Sequence, residues 1–389
     1  MRPTSQLSHM RPSPIRKIYE KAITMEDVVF FCLGEPDFDT PVCAVDEAIA
    51  SLRRGETHYT PNAGLPDLRR AAAENLAAYD GLSYDPDGEI AVTSGGMEGL
   101  TLALLTLCDP RDEVLLPDPS YTNYTDQIRI CGAVPRYVSV SEEDGFRLRP
   151  EALEAAVTEK SKVLMLNTPC NPTGAVIPEG HLRELARIAL EHDLYVIFDE
   201  VYKHLYYGDA PFFNIARIPG MRERTLIVDS CSKTYAMTGW RAGWIAGPRG
   251  IVSNIPKLQE NVCSCVPAFV QRGAAAALRN CGDDAAAMCA EYRRRRDAAV
   301  SGVNAIEGLH AVTPEGAFYL FVNIRDTGLS SAEFATRLLD EARVALSPGS
   351  AFGKAGEGFV RISYATPIEN IEKGLGRIAE WMKALRSGR

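Results

Sequence analysis

The chain has 389 residues, 46% of them hydrophobic, and a formal net charge of −9 at pH 7. A chain of this length and apolar content can bury a large core and is expected to divide into two domains. The acidic balance argues against nucleic acid or an anionic membrane as a partner. No run reaches the roughly 18 apolar residues of a membrane span.

The ten cysteines are too dispersed for a disulfide scaffold, and neither a CxxC pair nor a histidine cluster indicates a metal site. Cys263 and Cys265 form the only close pair, whereas Cys32 and Cys108 lie in apolar runs that predict small buried side chains. Residues 1–14 lack the apolar core of a secretion signal. These features predict a reducing, cytoplasmic location.

The first informative motif is a glycine turn between a strand and a helix. Residues 90–93 form an apolar run typical of a strand, a Ser-Gly-Gly turn leads to Gly96 and Met97, and residues 99–107 predict a helix. Backbone N–H groups at such a helix N-terminus can bind a phosphate. The motif is neither a P-loop nor GxGxxG, and a tight connection without a ligand is the alternative.

A second turn follows the apolar run over residues 163–166. The segment from Asn167 to Gly174 contains two prolines and two asparagines, which predict a rigid turn. Asn171 could donate its amide hydrogen to a phenolic oxygen or a carboxylate. An asparagine-proline turn without chemistry is the alternative.

Asp199 follows the run Tyr195 to Phe198, which predicts a buried parallel strand. Ligands of open α/β sheets gather at the carboxyl ends of the strands. A carboxylate there could pair with a cationic ring nitrogen and raise its pKa by about 1 to 3 units. A carboxylate that only caps the following segment is the alternative.

The segment from Ser230 to Arg241 is the most informative of the chain. It follows the apolar run over residues 225–228 and places Lys233 between two hydroxyl residues, Ser232 and Thr234. An amine beside hydroxyls and a guanidinium suits a phosphate-bearing cofactor held covalently, and pyridoxal phosphate on a lysine Schiff base is the candidate. A solvated lysine in a polar loop is the alternative for this segment alone.

The order of elements predicts an α/β fold. From about residue 42 to 280, strand-like runs alternate with helix-like runs such as 182–190, which indicates a mostly parallel sheet flanked by helices. From residue 281 onward the pattern predicts a smaller α+β domain. Its predicted elements are a basic helix over 285–300, strands over 317–322 and 359–363, and a closing helix over 368–385.

Two groups of arginines need separate interpretations. The run over residues 293–296 predicts a solvated helix face rather than a nucleic-acid surface. Arg361 lies between apolar residues on a predicted core strand and therefore needs an anionic partner. The planar guanidinium suits a carboxylate because it can make two parallel, charge-assisted hydrogen bonds.

Together the motifs resemble the class I/II aminotransferases of the fold-type I pyridoxal phosphate enzymes. The resemblance runs from Ser13-Pro14-Ile15-Arg16 through Gly34 to Pro41 and on to Val360 to Thr366, and therefore covers nearly the whole chain. It is closest to the aromatic and broad-range branch, with aspartate aminotransferases nearby. It implies a homodimer with shared active sites, a large domain over 42–280, and a small domain formed by 1–41 and 281–389.

The resemblance also implies roles for individual residues. Lys233 would bond to the cofactor and shuttle a proton, and Asp199 would pair with the pyridine nitrogen. The other implied cofactor contacts are Gly96, Met97, Ser230, Ser232 and Arg241 to the phosphate, Tyr202 and Asn171 to the phenolic oxygen, Tyr121 and Val201 to the two ring faces, and Tyr59 to the phosphate of the neighbouring subunit. Arg361, helped by Asn171 and the backbone of Gly34, would bind the substrate carboxylate.

Substrate choice depends on one position. Met97 stands where aspartate-preferring relatives often carry a lysine, and an apolar side chain cannot pair with a distal carboxylate. Aromatic or other hydrophobic amino acids are therefore the predicted donors of a ping-pong reaction. Because relatives accept both classes through one pocket, glutamate with 2-oxoglutarate, and also aspartate, remain further substrates.

Three other functions compete with amino transfer. A C–S β-lyase would use the same fold and cofactor. A cofactor-sensing regulator would need a winged helix, for which the sequence shows no N-terminal extension and the wrong charge. A nicotinamide-dependent dehydrogenase would need GxGxxG after the first strand, and it leaves Lys233, Asp199 and Asn171 unexplained.

Overall fold

The computed structural model describes residues 13–387. Its strands are β1 Val29–Phe30, β2 Ile90–Thr93, β3 Glu113–Asp118, β4 Val134–Ser139, β5 Ser161–Asn167, β6 Tyr195–Asp199, β7 Thr225–Ser230, β8 Gly243–Ala246, β9 His310–Ala311, β10 Tyr319–Asn323, β11 Val344–Ala345, β12 Ser347–Pro348 and β13 Phe359–Ser363. Its α-helices are α1 Pro14–Ala22, α2 Val42–Arg53, α3 Pro66–Asn75, α4 Gly95–Leu107, α5 Thr122–Ile130, α6 Pro150–Ala156, α7 Glu179–Glu191, α8 Cys231–Thr234, α9 Arg249–Val252, α10 Ile255–Val262, α11 Ala268–Asn280, α12 Gly282–Asn304, α13 Ser331–Ala342 and α14 Ile368–Ser387.

The larger sheet has seven strands in the order β2-β8-β7-β6-β5-β3-β4. Only β8 runs antiparallel to its neighbours, which confirms the predicted α/β fold with a mostly parallel sheet. In the register of this sheet Asn167 pairs with Asp199, and Asp199 pairs with Val228. The ends of β5, β6 and β7 are therefore level, and the residues that follow them meet at one edge.

A smaller antiparallel sheet has the order β12-β13-β10-β9, and β1 pairs with β11 in parallel. Apolar side chains from residues 18–32 pack into the same buried cluster as many from 288–382. The larger sheet lies within residues 42–280 and the smaller within 281–389. The domain boundary itself stays a prediction.

Several helices are longer than the apolar pattern predicts. Helix α4 begins at Gly95 rather than residue 99, and α12 covers 282–304 rather than 285–300. The strand expected over 317–322 is β10, shifted to 319–323. End turns contribute little to the buried face of a helix, so the apolar periodicity cannot locate them.

The prediction of a solvated face for residues 293–296 is wrong for Arg295. Arg293 and Arg294 are exposed, but Arg295 lies on the buried face of α12, where residues recur at helical spacing. Its Nη1 donates to both carboxylate oxygens of Asp37 at 2.8 and 2.9 Å, and its Nε donates to Glu291 at 2.8 Å. Arg295 is therefore a structural cation that joins α12 to the segment after β1.

The cysteines differ from expectation at one place. A disulfide joins Cys43 to Cys281, although 238 residues separate them in sequence, and the other eight cysteines are free. Cys32 is buried as predicted, whereas Cys108 is only partly so. Within residues 13–387, every helix is too short or too polar to cross a membrane. The expectation about a secretion signal concerns residues that lie almost entirely outside this range.

Candidate active site

A cavity of about 570 Å³ lies where β5, β6 and β7 end. This is the edge at which open α/β sheets bind ligands. The predicted site residues that line it are Gly34, Gly96, Met97, Tyr121, Asn171, Asp199, Val201, Tyr202, Ser230, Ser232, Lys233, Arg241 and Arg361. Tyr59 does not line it and is 89% exposed. The fold therefore brings together residues that are as much as 327 positions apart in sequence.

Lys233 lies in the short helix α8, directly after β7. Ser230 caps this helix by accepting a hydrogen bond from the N–H of Ser232. The Lys233 amine donates to the carbonyl oxygen of Gly34 at 2.6 Å. Loss of water around the amine lowers its pKa to about 8, helped by two nearby guanidinium groups and opposed chiefly by Glu35. The amine can therefore lose its proton close to neutral pH, as a nucleophile must.

Asp199 ends β6 and is buried. Its Oδ2 accepts a hydrogen bond from the hydroxyl of Tyr124 at 2.6 Å, and its Oδ1 accepts from the N–H of Val201 at 3.3 Å. Burial raises the pKa of Asp199 to about 6, although the Tyr124 hydrogen bond acts in the opposite direction. The carboxylate is thus oriented and poorly solvated, and a cation in the cavity would stabilise its charged form.

Arg361 projects from β13 and is buried. Its Nη1 donates to Oδ1 of Asn171 at 2.9 Å, and its Nη2 donates to the carbonyl oxygen of Cys32 at 2.8 Å. The Nε is buried without a hydrogen-bond partner among residues 13–387. Buried donors are rarely left unpaired. The guanidinium is therefore held in place by protein groups, and Arg361 lines the cavity with N–H donors left over from these bonds.

The turn that carries Asn171 is tied to the strand that carries Asp199. The side chain of Asn167 accepts from the N–H of Asn171 at 2.9 Å and donates to the carbonyl oxygen of Asp199 at 3.1 Å. Asn171 presents its amide oxygen to Arg361, which leaves its amide nitrogen available. Tyr202, which is predicted to contact the same phenolic oxygen as Asn171, shares a 2.8 Å hydrogen bond with the hydroxyl of Tyr319.

The turn before α4 and Arg241 form one end of the cavity. Arg241 donates to the carbonyl oxygen of Thr238 at 2.7 Å and to that of Ser94 at 3.3 Å. Gly95 has a φ of +74°, and a Cβ there would lie 2.5 Å from Nη2 of Arg241. Ser94 makes no side-chain cap at the helix N-terminus. Glycine is therefore required at position 95, and free N–H groups lie beside hydroxyls and a guanidinium, as a phosphate would need.

Tyr121 lines the cavity. Its hydroxyl lies 3.6 Å from the sulfur of Met97, and its ring meets that of Tyr124 edge to face with centroids 5.3 Å apart. These contacts orient the ring, and Val201 lines another part of the same cavity. A planar ligand between Tyr121 and Val201 would meet an aromatic and an aliphatic surface.

Several lining residues were not identified from the sequence. Asn167 could have been found, since it ends a predicted strand as Asp199 does. Tyr124 and Tyr319 carry no local signal, because a tyrosine on a helix or in a core strand is ordinary packing. Arg16 and Tyr19 lie far from the other motifs in sequence and line the cavity from α1.

A buried ionic cluster also lies next to the site, unpredicted from the sequence. The amine of Lys203 contacts Asp80 at 2.8 Å, Glu200 at 2.7 Å and Asp229 at 3.3 Å, and all four side chains are nearly inaccessible to solvent. Glu200 directly follows Asp199, and Asp229 directly precedes Ser230. Burial raises the pKa of Asp229 to about 6. The cluster therefore places three buried acidic side chains around one shared cation, next in sequence to the site residues Asp199 and Ser230.

Comparison with known proteins agrees with this geometry. Residues 26–378 match the family model described as aminotransferase class I and II. The aspartate aminotransferase of Pyrococcus abyssi is 44% identical, and aromatic-amino-acid aminotransferase 2 of Thermococcus litoralis is 42% identical, each over 98% of both chains.

Solved structures give the same result. The aspartate aminotransferase of Thermus thermophilus with maleate matches with a TM-score of 0.92 at 38% identity, over 98% of this chain and 100% of that one. The aromatic aminotransferase of Pyrococcus horikoshii matches with a TM-score of 0.90 at 44% identity, over 94% of this chain and 99% of that one. These matches favour amino transfer over C–S β-elimination. The chain therefore belongs to the class I and II aminotransferases, which are pyridoxal-phosphate-dependent enzymes of fold type I.

Proposed function

We propose that the enzyme transfers the amino group of an aromatic or other hydrophobic L-amino acid to a 2-oxo acid by a ping-pong reaction, with glutamate and 2-oxoglutarate as a second pair. The position of buried Arg361 carries the proposal, since this residue lines the cavity that Lys233 also lines. A substrate carboxylate bound there would complete the bonding of the guanidinium. Its amino group would then share the cavity with the lysine.

The residues of the cavity fit pyridoxal phosphate. The N–H groups of Gly96 and Met97, with Ser230, Ser232 and Arg241, supply donors for a phosphate, and a Cβ at position 95 would obstruct that end. Asp199 would hold a protonated ring nitrogen, and Asn171 and Tyr202 would donate to the phenolic oxygen. Tyr121 and Val201 would cover the two ring faces.

The bound cofactor supplies an electron-withdrawing ring that accepts the electron pair left when the substrate Cα loses its proton. The residues of the chain do the rest. Lys233 would take the Cα proton and deliver it to the cofactor carbon C4′, for which its lowered pKa is suited. Arg361 and Asn171 orient the substrate through its carboxylate, and Gly34 contributes its backbone.

The apolar lining supports hydrophobic donors. Ile15, Tyr19, Leu33, Met97 and Leu100 all line the cavity. The relatives named above include both aspartate and aromatic aminotransferases. Apolar walls favour an aromatic side chain by burying its surface.

The test is a matrix of initial rates over amino donors with 2-oxoglutarate as acceptor. Phenylalanine, tyrosine and leucine are expected to give the highest kcat/KM. Aspartate or glutamate ahead of phenylalanine and tyrosine by tenfold would overturn the proposed preference. Release of pyruvate and ammonia from cystathionine, without amino transfer, would overturn the reaction itself.

We further infer a cytoplasmic homodimer whose active sites are shared. Tyr59 is 89% exposed in the single chain, as expected of a side chain that would reach the phosphate of the neighbouring subunit. Two inactive variants, Tyr59→Ala and Lys233→Ala, should together restore activity when coexpressed, because mixed dimers would contain one complete site. Failure to restore any activity, with mixed dimers demonstrated by differential tags, would contradict the shared site.

A further inference from the structure

Helix α1 forms one wall of the cavity. Ile15, Arg16 and Tyr19 all line it, and their spacing places them on adjoining parts of one helix face. Lys17, the next residue of α1, is exposed and does not line the cavity. The wall is therefore apolar except for a single guanidinium.

The four cations that line the cavity differ in their bonding. Lys233 donates to Gly34, Arg241 to Thr238 and Ser94, and Arg361 to Asn171 and Cys32. Arg16, by contrast, makes neither a hydrogen bond nor an ion pair with any residue of the described range 13–387. It is the cation whose full bonding capacity is open to a ligand.

A substrate bound by its carboxylate to Arg361 and by its amine at Lys233 leaves the rest of the cavity to its side chain. That remainder includes Ile15, Arg16, Tyr19 and Met97. Met97 cannot bind a carboxylate, so a second carboxylate in the substrate needs another cation. Arg241 is already bonded to backbone oxygens at the phosphate end, which leaves Arg16 among the cavity cations of this chain.

We propose that Arg16 is the specificity-determining residue that binds the distal carboxylate of dicarboxylic substrates, such as glutamate, aspartate and their 2-oxo acids. The inference rests on the proposed function, because it assumes that Arg361 binds the α-carboxylate. A guanidinium binds a carboxylate through two parallel hydrogen bonds, which gives direction as well as charge.

The exposure of Arg16 explains how one cavity serves two substrate classes. A long side chain at the rim can extend its charged end into water while its methylenes cover apolar surface. With an aromatic substrate Arg16 remains solvated and the apolar wall makes the contact. With a dicarboxylic substrate its guanidinium binds the distal carboxylate. A buried, fixed cation would instead exclude the aromatic side chain.

The test compares Arg16→Met with the matched control Lys17→Met in the holoenzyme. Arg16→Met is expected to lower kcat/KM for glutamate and aspartate at least tenfold and to leave that for phenylalanine within about twofold, since one charge-assisted pair is lost. Lys17→Met removes a cation one residue away and is expected to leave kcat/KM unchanged for the dicarboxylic donors and for phenylalanine. Arg16→Lys should retain part of the activity on glutamate.

A binding measurement supplies an independent readout. The dissociation constant of glutarate should rise about tenfold or more in Arg16→Met, whereas that of 3-phenylpropionate should not change. Equal losses for glutamate and phenylalanine, or no loss for glutamate, would overturn the role of Arg16 while leaving amino transfer intact. If the wild-type enzyme transferred no amino group from any donor, the proposed function would fail, and the glutarate comparison would still decide the role of Arg16.

Discussion

Tyr124 donates a 2.6 Å hydrogen bond to Oδ2 of Asp199, and both side chains are buried. The tyrosine belongs to α5 and the aspartate ends β6, so the bond orients a carboxylate from outside its own strand. Because the bond favours the charged carboxylate, it opposes the rise in the pKa of Asp199 that burial causes. Tyr124 is a positioning residue rather than a catalytic one.

Tyr124→Phe should therefore weaken the binding of pyridoxal phosphate. The pKa of Asp199 would rise further above about 6, and less of the carboxylate would be charged at neutral pH. The expected effect is a roughly tenfold higher dissociation constant for the cofactor, since a hydrogen bond to a charged group contributes about 1.5–3 kcal/mol. The control is Tyr121→Phe, which leaves the Asp199 bond in place. An unchanged dissociation constant between pH 6 and 8 would contradict the role.

Arg361→Gln should reduce kcat/KM for every amino donor. The substitution removes the charge of the guanidinium, while Asn171 and the carbonyl oxygen of Cys32 lose their donors. A loss of about 100-fold is expected, chiefly in KM, because the α-carboxylate is common to all substrates. Arg337→Gln, at an exposed ion pair with Glu341, should change nothing. A loss confined to dicarboxylic donors would mean that Arg361 binds the distal carboxylate rather than the α-carboxylate, and would contradict this assignment.

Lys233→Met should stabilise the cofactor-free protein at pH 7 while it abolishes amino transfer. The folded pKa of the amine, about 8, lies below its ordinary value of 10.5, so the folded state holds this proton less tightly than the unfolded chain does. The lysine therefore contributes full stability only above pH 10.5 and loses it as the pH falls through about 8. Thermal unfolding should show a higher Tm for the variant at pH 7, with a difference that shrinks toward pH 10. A lower Tm at pH 7 would contradict this account.

Lys203→Met should strongly destabilise the fold. It leaves Asp80, Glu200 and Asp229 buried without their shared cation, and breaking a buried pair costs about 3–5 kcal/mol. In urea, the variant should lose less free energy of unfolding at pH 5.5 than at pH 8. Burial raises the pKa values of the folded carboxyls, so they take up protons at the lower pH. Lys257→Met is the exposed control. An equal loss of unfolding free energy at both pH values would exclude the unpaired carboxylate charges as the cause of the destabilisation.

The sequence was informative wherever a strand ended in polar residues. Asn171, Asp199 and Lys233 each follow an apolar run, and parallel strands place such residues at one edge, so their proximity could be anticipated. Arg361 was recognised by the mismatch between its charge and its apolar neighbours. Tyr124, Arg16 and the partners of Lys203 could not be recognised in this way, because each acts through contacts with distant segments.

Local pattern by itself determined the α/β class and the residues at the ends of the central strands, since strand periodicity and turn chemistry depend on neighbours in the chain. The motifs at those strand ends carried the resemblance to the family. Tertiary structure alone decided what those residues bind: Tyr202 meets Tyr319, Asn171 meets Arg361, and Cys43 meets Cys281. Burial, which lowers the pKa of Lys233 and raises that of Asp199, is likewise a property of the packed molecule. The sequence supplies the functional side chains, whereas packing sets the distances between them, their solvation and their charge.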